Sequence, residues 1–87
     1  MDVHLYALST CPYCRMTKKY LDESGVSYEL IEVDLLEGTP GDPESPKGAV
    51  ASEVRRISGG TSFPVLVVGE KFVVGFNKTG INQLLGL

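Results

Sequence analysis

Two cysteines separated by two residues, Cys11 and Cys14, are the side chains in this sequence best suited to chemistry. Three uses of such a pair compete. A structural zinc site needs four ligands. His4 is the only histidine, so an intramolecular site would have to recruit carboxylates, and no metal is expected. A structural disulfide closing so short a loop contributes only about 2 kcal/mol, against about 3 for a 15-residue loop. Disulfide-framework proteins also carry more cysteines at wider spacings. The remaining use is a redox dithiol, which stores two electrons by opening and closing its bond.

The flanking residues suit that use. Val3, Leu5 and Ala7 alternate with His4 and Tyr6, which predicts a strand over Val3–Ala7. Ser9 and Thr10 offer hydroxyl caps, and Pro12 is tolerated in a first helical turn because its missing N–H has no intrahelical partner there. A helix is expected from about Pro12 to Ser24, with Tyr13, Met16, Tyr20 and Leu21 on its apolar face and Gly25 as its stop. Cys11 then stands where a strand feeds a helix. Unpaired N–H groups and the positive end of the helix dipole favour its thiolate there, whereas a free thiol near pKa 8.5 is only a few per cent ionised at pH 7. Arg15, Lys18 and Lys19 add positive potential. Positions i and i+3 lie about 5–6 Å apart on one helix face, so Cys14 can close a disulfide with little adjustment. Cys11 is expected to attack a target disulfide and Cys14 to resolve the mixed disulfide. Pro12 stiffens the turn. Tyr13 places an aromatic ring beside the sulfur, either as packing or as a contact for a partner.

The remaining elements must hold this turn in place. Tyr28–Asp34 reads as a second strand. The segment from Glu37 to Pro46 holds three of the five prolines and reads as a tolerated surface insertion. Ser45 and Pro46 open a helix that ends at Gly59-Gly60, with Val50, Val54 and Ile57 as its buried stripe. Pro64–Val68 and Lys71–Val74 flank Gly69-Glu70 as a tight hairpin. A last helix spans about Lys78–Leu85 and buries Ile81, Leu84 and Leu85. The order β-α-β-α-β-β-α implies an α/β fold with a mixed four-stranded sheet covered by three helices.

At 87 residues the chain is expected to form one domain, 1–87. With 43% hydrophobic and 22% charged residues, its composition excludes collagen, coiled coil and wholesale disorder. No apolar run approaches the roughly 20 residues of a membrane helix, and the first residues lack the basic-then-apolar pattern of a secretory signal. The net charge of −3 argues against nucleic acid as a partner. A soluble cytoplasmic monomer is the expectation.

Cys11-Pro12-Tyr13-Cys14, after a strand and at a helix start, resembles the dithiol glutaredoxin motif. Ser62-Phe63-Pro64 resembles that family's Thr-Val-Pro segment, and Val74-Gly75-Phe76-Asn77-Lys78 falls where the family carries Gly-Gly, a small residue and two acids. The resemblance covers essentially the whole chain. It implies a thioredoxin fold, a cis bond at Pro64, and a substrate groove formed by Pro12, Tyr13, Ser62, Phe63, Pro64, Gly75, Phe76 and Asn77, with the Phe63 backbone pairing with a bound peptide or thiol. It implies a thiol–disulfide oxidoreductase with no bound cofactor, reducing disulfide-containing client proteins or glutathione mixed disulfides, with glutathione as the reductant. Two positions depart from the family pattern. Leu8 stands where glutaredoxins often have lysine, and Asn77 and Lys78 replace the acid pair that holds the ammonium of glutathione. The same departure is similar to redoxins served by a thioredoxin or glutaredoxin reductase, which donate electrons to a client such as ribonucleotide reductase. Family members that carry iron–sulfur clusters usually have serine at the second cysteine position and glycine at the proline position, unlike Cys14 and Pro12.

Overall fold

In a computed structural model of the chain, residues 2–87 are described, so residue 1 of the expected 1–87 domain lies outside the described residues. Strand β1 (Val3–Ala7) buries Val3, Leu5 and Ala7 and leaves His4 and Tyr6 half-buried, the alternation a pleated strand requires. Helix α1 (Pro12–Glu23) follows, then β2 (Glu29–Glu32), a 3₁₀ turn (Val33–Leu35), α2 (Pro46–Ser58), β3 (Val65–Val68), β4 (Lys71–Val74) and α3 (Lys78–Leu85). The sheet order is β2-β1-β3-β4. β1 pairs with β2 in parallel and with β3 antiparallel, and β3 pairs antiparallel with β4. This is the mixed four-stranded sheet with three helices expected from the sequence. Gly69 has φ +62° at the first of the two residues joining β3 to β4, the place where a type II′ hairpin takes glycine.

The core has two faces because β3 is buried along its whole length. Leu66 and Val68 join Val3, Leu5, Ala7, Cys14, Leu21 and Ile81 on the side of α1 and α3. Val65 and Val67 meet Val54 of α2 on the other side. Phe63, just before β3, packs against both clusters. Burying a Val, Leu or Ile side chain fully contributes about 1.5–3 kcal/mol, so this central strand is the main anchor of both layers.

Two expectations are corrected. The buried residues of α1 are Cys14, Thr17 and Leu21, whereas Tyr13 is 61% and Met16 46% exposed. Thr17 can be buried because its hydroxyl donates to the Tyr13 carbonyl at 2.9 Å, which removes the cost of an unpaired polar group. The second strand is shorter than Tyr28–Asp34. Its pairing with β1 ends at Ala7↔Glu32, where β1 itself gives out, and Val33–Leu35 turns into a 3₁₀ helix. The insertion around residues 39–46 is exposed but internally bonded. Ser45 caps α2 by accepting from Gly48 N at 3.1 Å, and its hydroxyl donates to the carbonyls of Thr39 and Asp42. Lys47 N donates to Glu37 O at 2.9 Å, and Gly48 lies so close to the Asp42 carbonyl that a Cβ would overlap it.

Candidate active site

Cys11 is the N-cap of α1, with extended backbone, and it does with sulfur what capping oxygens do elsewhere. Its Sγ accepts the Cys14 N–H at 3.3 Å. Ser9 and Thr10 do not cap this helix. Ser9 turns instead to Asp34 of the 3₁₀ turn, giving its backbone N–H to Oδ1 at 2.9 Å and its hydroxyl to Oδ2. Partners 25 residues apart in sequence thus fix the turn that carries Cys11. Leu8 completes the arrangement. Its carbonyl accepts from Cys11 N at 3.2 Å, and its N–H donates to Cys14 Sγ at 3.4 Å.

The two thiols are free and differ in environment. Cys11 is partly exposed and Cys14 buried. Partial burial works against ionising Cys11. Hydrogen bonds from the Cys14 thiol and from the N–H groups of Cys14 and Tyr13, with the Arg15 charge, outweigh it and hold its pKa below the usual thiol value. Burial and the shared hydrogen bond with Cys11 push Cys14 up to about 11, against the lowering effect of the Leu8 N–H. The pair therefore consists of one thiol primed to be an anion and one kept protonated beside it.

The sequence-expected groove residues fall into three groups. The Phe63–Pro64 bond is cis, Pro64 is fully buried, and Cys11, Phe63 and Phe76 all pack against the cluster that contains Cys14. Gly75, at φ +82°, donates its N–H to the Pro64 carbonyl at 2.8 Å, tying the approach to α3 to the cis-proline turn. Pro12, Tyr13 and Ser62 are exposed around this centre. Asn77 has a local job, since its Oδ1 accepts Gly80 N at 3.1 Å and caps α3.

Two features were missed by sequence reasoning. The Ser9–Asp34 tether had no local signal beyond an acid following the second strand. Lys78 was legible as a charge out of place, but its position was not. Its Nζ stands 5.3 Å from the Tyr20 ring centroid and 5.9 Å from that of Phe76. These two rings meet edge to face at 6.3 Å, and the Tyr20 hydroxyl donates to Asn82 Oδ1. An ammonium over two aromatic faces is held by their quadrupoles. His4, a half-buried residue of β1, pairs with Glu29 at 3.0 Å. Among the described residues no group of three His, Cys, Asp or Glu side chains is placed to hold a metal, and no helix is long and apolar enough to cross a membrane.

The glutaredoxin family model matches residues 3–73. The chain is 30% identical to the glutaredoxin-like protein NrdH of Escherichia coli K12 over 84 residues, covering 97% of this chain and 89% of that protein. It superposes on a crystal structure of a glutaredoxin from Archaeoglobus fulgidus with TM-score 0.85 and 39% identity, covering 97% of this chain and 85% of the other. A Methanosarcina acetivorans methanoredoxin gives TM-score 0.85 and 36% identity over 99% and 85% of the two chains.

Proposed function

The chain belongs to the glutaredoxin family, whose common activity is thiol–disulfide exchange, and on that premise we propose that it is a glutaredoxin-type oxidoreductase using Cys11 as nucleophile and Cys14 as resolving thiol. The observation that carries the assignment is the unequal placing of the two sulfurs, with a partly exposed Cys11 Sγ accepting the Cys14 N–H at the N-cap of α1 and Cys14 buried beside it. The Cys11 thiolate attacks one sulfur of a client disulfide, and the other client sulfur leaves as a thiolate and takes up a proton. Cys14 then loses its proton and displaces the first client sulfur from Cys11. The products are a client dithiol and a Cys11–Cys14 disulfide, with two electrons transferred. Once Cys11 is bonded to a client it is no longer an anion, so the neighbouring charge that opposes Cys14 ionisation disappears.

Phe63, Pro64, Gly75 and Phe76 form the groove beside Cys11, Ser62 and Tyr13 flank it, and Pro12 shapes the turn. The clients are disulfide-containing proteins, met in the cytoplasm by a monomer that binds no cofactor and no nucleic acid. The test is a pair of variants. Cys11→Ser abolishes reduction of every disulfide, and Cys14→Ser accumulates covalent mixed disulfides with protein clients. Normal turnover by Cys11→Ser would overturn the assignment.

A second reading concerns the electron source, and Lys78 favours it. Glutathione presents an ammonium, which an acid pair would hold. Here Asn77 is committed to capping α3 and Lys78 brings a positive charge over Tyr20 and Phe76. We therefore favour a thioredoxin or glutaredoxin reductase over glutathione as reductant, with electron donation to a client such as ribonucleotide reductase. Turnover of one disulfide with each reductant system in parallel decides between them.

A further inference from the structure

Between the dithiol turn and α2 lies a cavity of about 240 Å³ whose walls are Leu8, Val33, Pro40, Ala51, Val54 and Phe63. Its lining is almost wholly apolar, with Lys47, Asp34 and Arg55 at its border. The Asp34 carboxylate is engaged by Ser9. Lys47 and Arg55 make no ion pair with a described residue, although the Lys47 charge acts on Asp34, so the lining carries two cations against one carboxylate.

Two of the walls adjoin the cysteine pair. Leu8 holds Cys14 Sγ through its N–H and Cys11 through its carbonyl. Phe63 directly precedes Pro64 and packs against the cluster that Cys11 also touches. Leu8 and Phe63 therefore belong both to the cavity lining and to the surroundings of the cysteine pair. The volume is below the roughly 300–1,000 Å³ of small-molecule sites and suits a single large side chain.

We propose that this cavity is a specificity pocket for client polypeptides that carry a large apolar side chain beside the reacting half-cystine, with a carboxylate next to it that Lys47 and Arg55 attract. The apolar side chain gains from leaving water, and the two cations steer and orient the acidic flank. Pro40 belongs to the bonded insertion, so this segment serves as a wall of the pocket. The inference rests on the proposed exchange reaction.

The test compares two peptides of equal length, each with an internal disulfide, one flanked by Phe-Glu and the other by Ala-Lys. They are reduced by the intact protein with dithiothreitol as terminal reductant, beside a small disulfide such as hydroxyethyl disulfide. The expected result is a kcat/KM ratio of about tenfold or more in favour of the Phe-Glu peptide. That ratio falls toward one in Ala51→Phe, which fills the cavity, and in Arg55→Glu, which reverses an exposed rim charge without altering the interior. General damage to the fold would slow both peptides alike and leave the ratio in place. A ratio near one in the wild type, or an unchanged ratio in both variants, overturns the pocket. Failure to reduce either peptide while the small disulfide is reduced also overturns it and leaves the exchange reaction standing. Failure on all three substrates overturns both.

Discussion

The starts of α1 and α3 are built on one plan and used for different ends. At each, the N-cap side chain accepts the N–H of the residue three positions on. Cys11 Sγ takes Cys14 N at 3.3 Å, and Asn77 Oδ1 takes Gly80 N at 3.1 Å. An amide oxygen in this place satisfies an orphan donor and stabilises the helix. A sulfur there satisfies the same donor less well, but it can ionise. The same N–H groups and dipole then become a means of keeping an anion. The second difference is charge. α1 has Arg15 in its first turn, where it supports the thiolate. α3 opens on Lys78, a cation at the unfavourable end of a helix, compensated by Tyr20 and Phe76. A helix start therefore becomes a reactive site here because of the atom placed on it.

Breaking this contrast most severely is Cys11→Ser. Serine is a good cap, so the melting temperature is expected to hold or rise while disulfide reduction falls by at least about 10³-fold. Calorimetry and a turnover assay read the two separately. Alkylation against pH sharpens the contrast within α1 itself. At pH 8 Cys11 is expected to react with iodoacetamide on the order of a hundredfold faster than Cys14, with its midpoint below the ordinary thiol value. Cys14, buried and raised to about 11 while Cys11 is free, is expected to react only after Cys11 has been alkylated. The sign for stability follows. A thiol with a raised folded-state pKa stabilises the reduced protein fully below the ordinary thiol value, and that contribution is lost as pH rises through the folded value. Thermal melts of the reduced protein should therefore decline across this alkaline window.

Asn77→Ala tests the other start. Losing the cap costs about 1 kcal/mol, which lowers the melting temperature of a chain this size by roughly 4–8 °C, with the Cys11 alkylation midpoint in place. The smallest expected effect belongs to Lys78→Asp. Exposed charge pairs contribute about 0.2–1 kcal/mol, so use of a glutathione mixed disulfide should improve only about two- to fivefold, read as kcat/KM with glutathione and its reductase. No improvement would leave the aromatic seat of Lys78 without a bearing on the electron source.

The parts of the molecule legible in the sequence are those whose signal is local. Val3–Ala7 alternates, Pro12 and Ser45-Pro46 mark helix starts, Gly59 ends α2 at φ +75°, and Gly69 opens a hairpin. The cysteine pair and Pro64 were readable because their types and order carry the resemblance. The errors came from interactions between distant segments. The periodicity of α1 favoured Tyr13 and Met16 as core because they are large. The sheet instead received Cys14 and Thr17, small enough for close approach and satisfied by hydrogen bonds. Ser9 resembled a cap because its hydroxyl stands near a helix start, and only the fold brings Asp34 to it. The seat of Lys78 depends on Tyr20, which is distant in sequence and meets it only through packing of α1 against α3.

Gly48 ties the surface insertion to the first turn of α2 by direct contact with the Asp42 carbonyl. The insertion and the helix are consequently one mechanical piece. Any larger residue at 48 would lever the prolines outward and shift Pro40 without touching either sulfur. A lineage that exchanged this loop for another would thus have to rebuild the beginning of the helix with it, and the choice of clients would travel with that cassette.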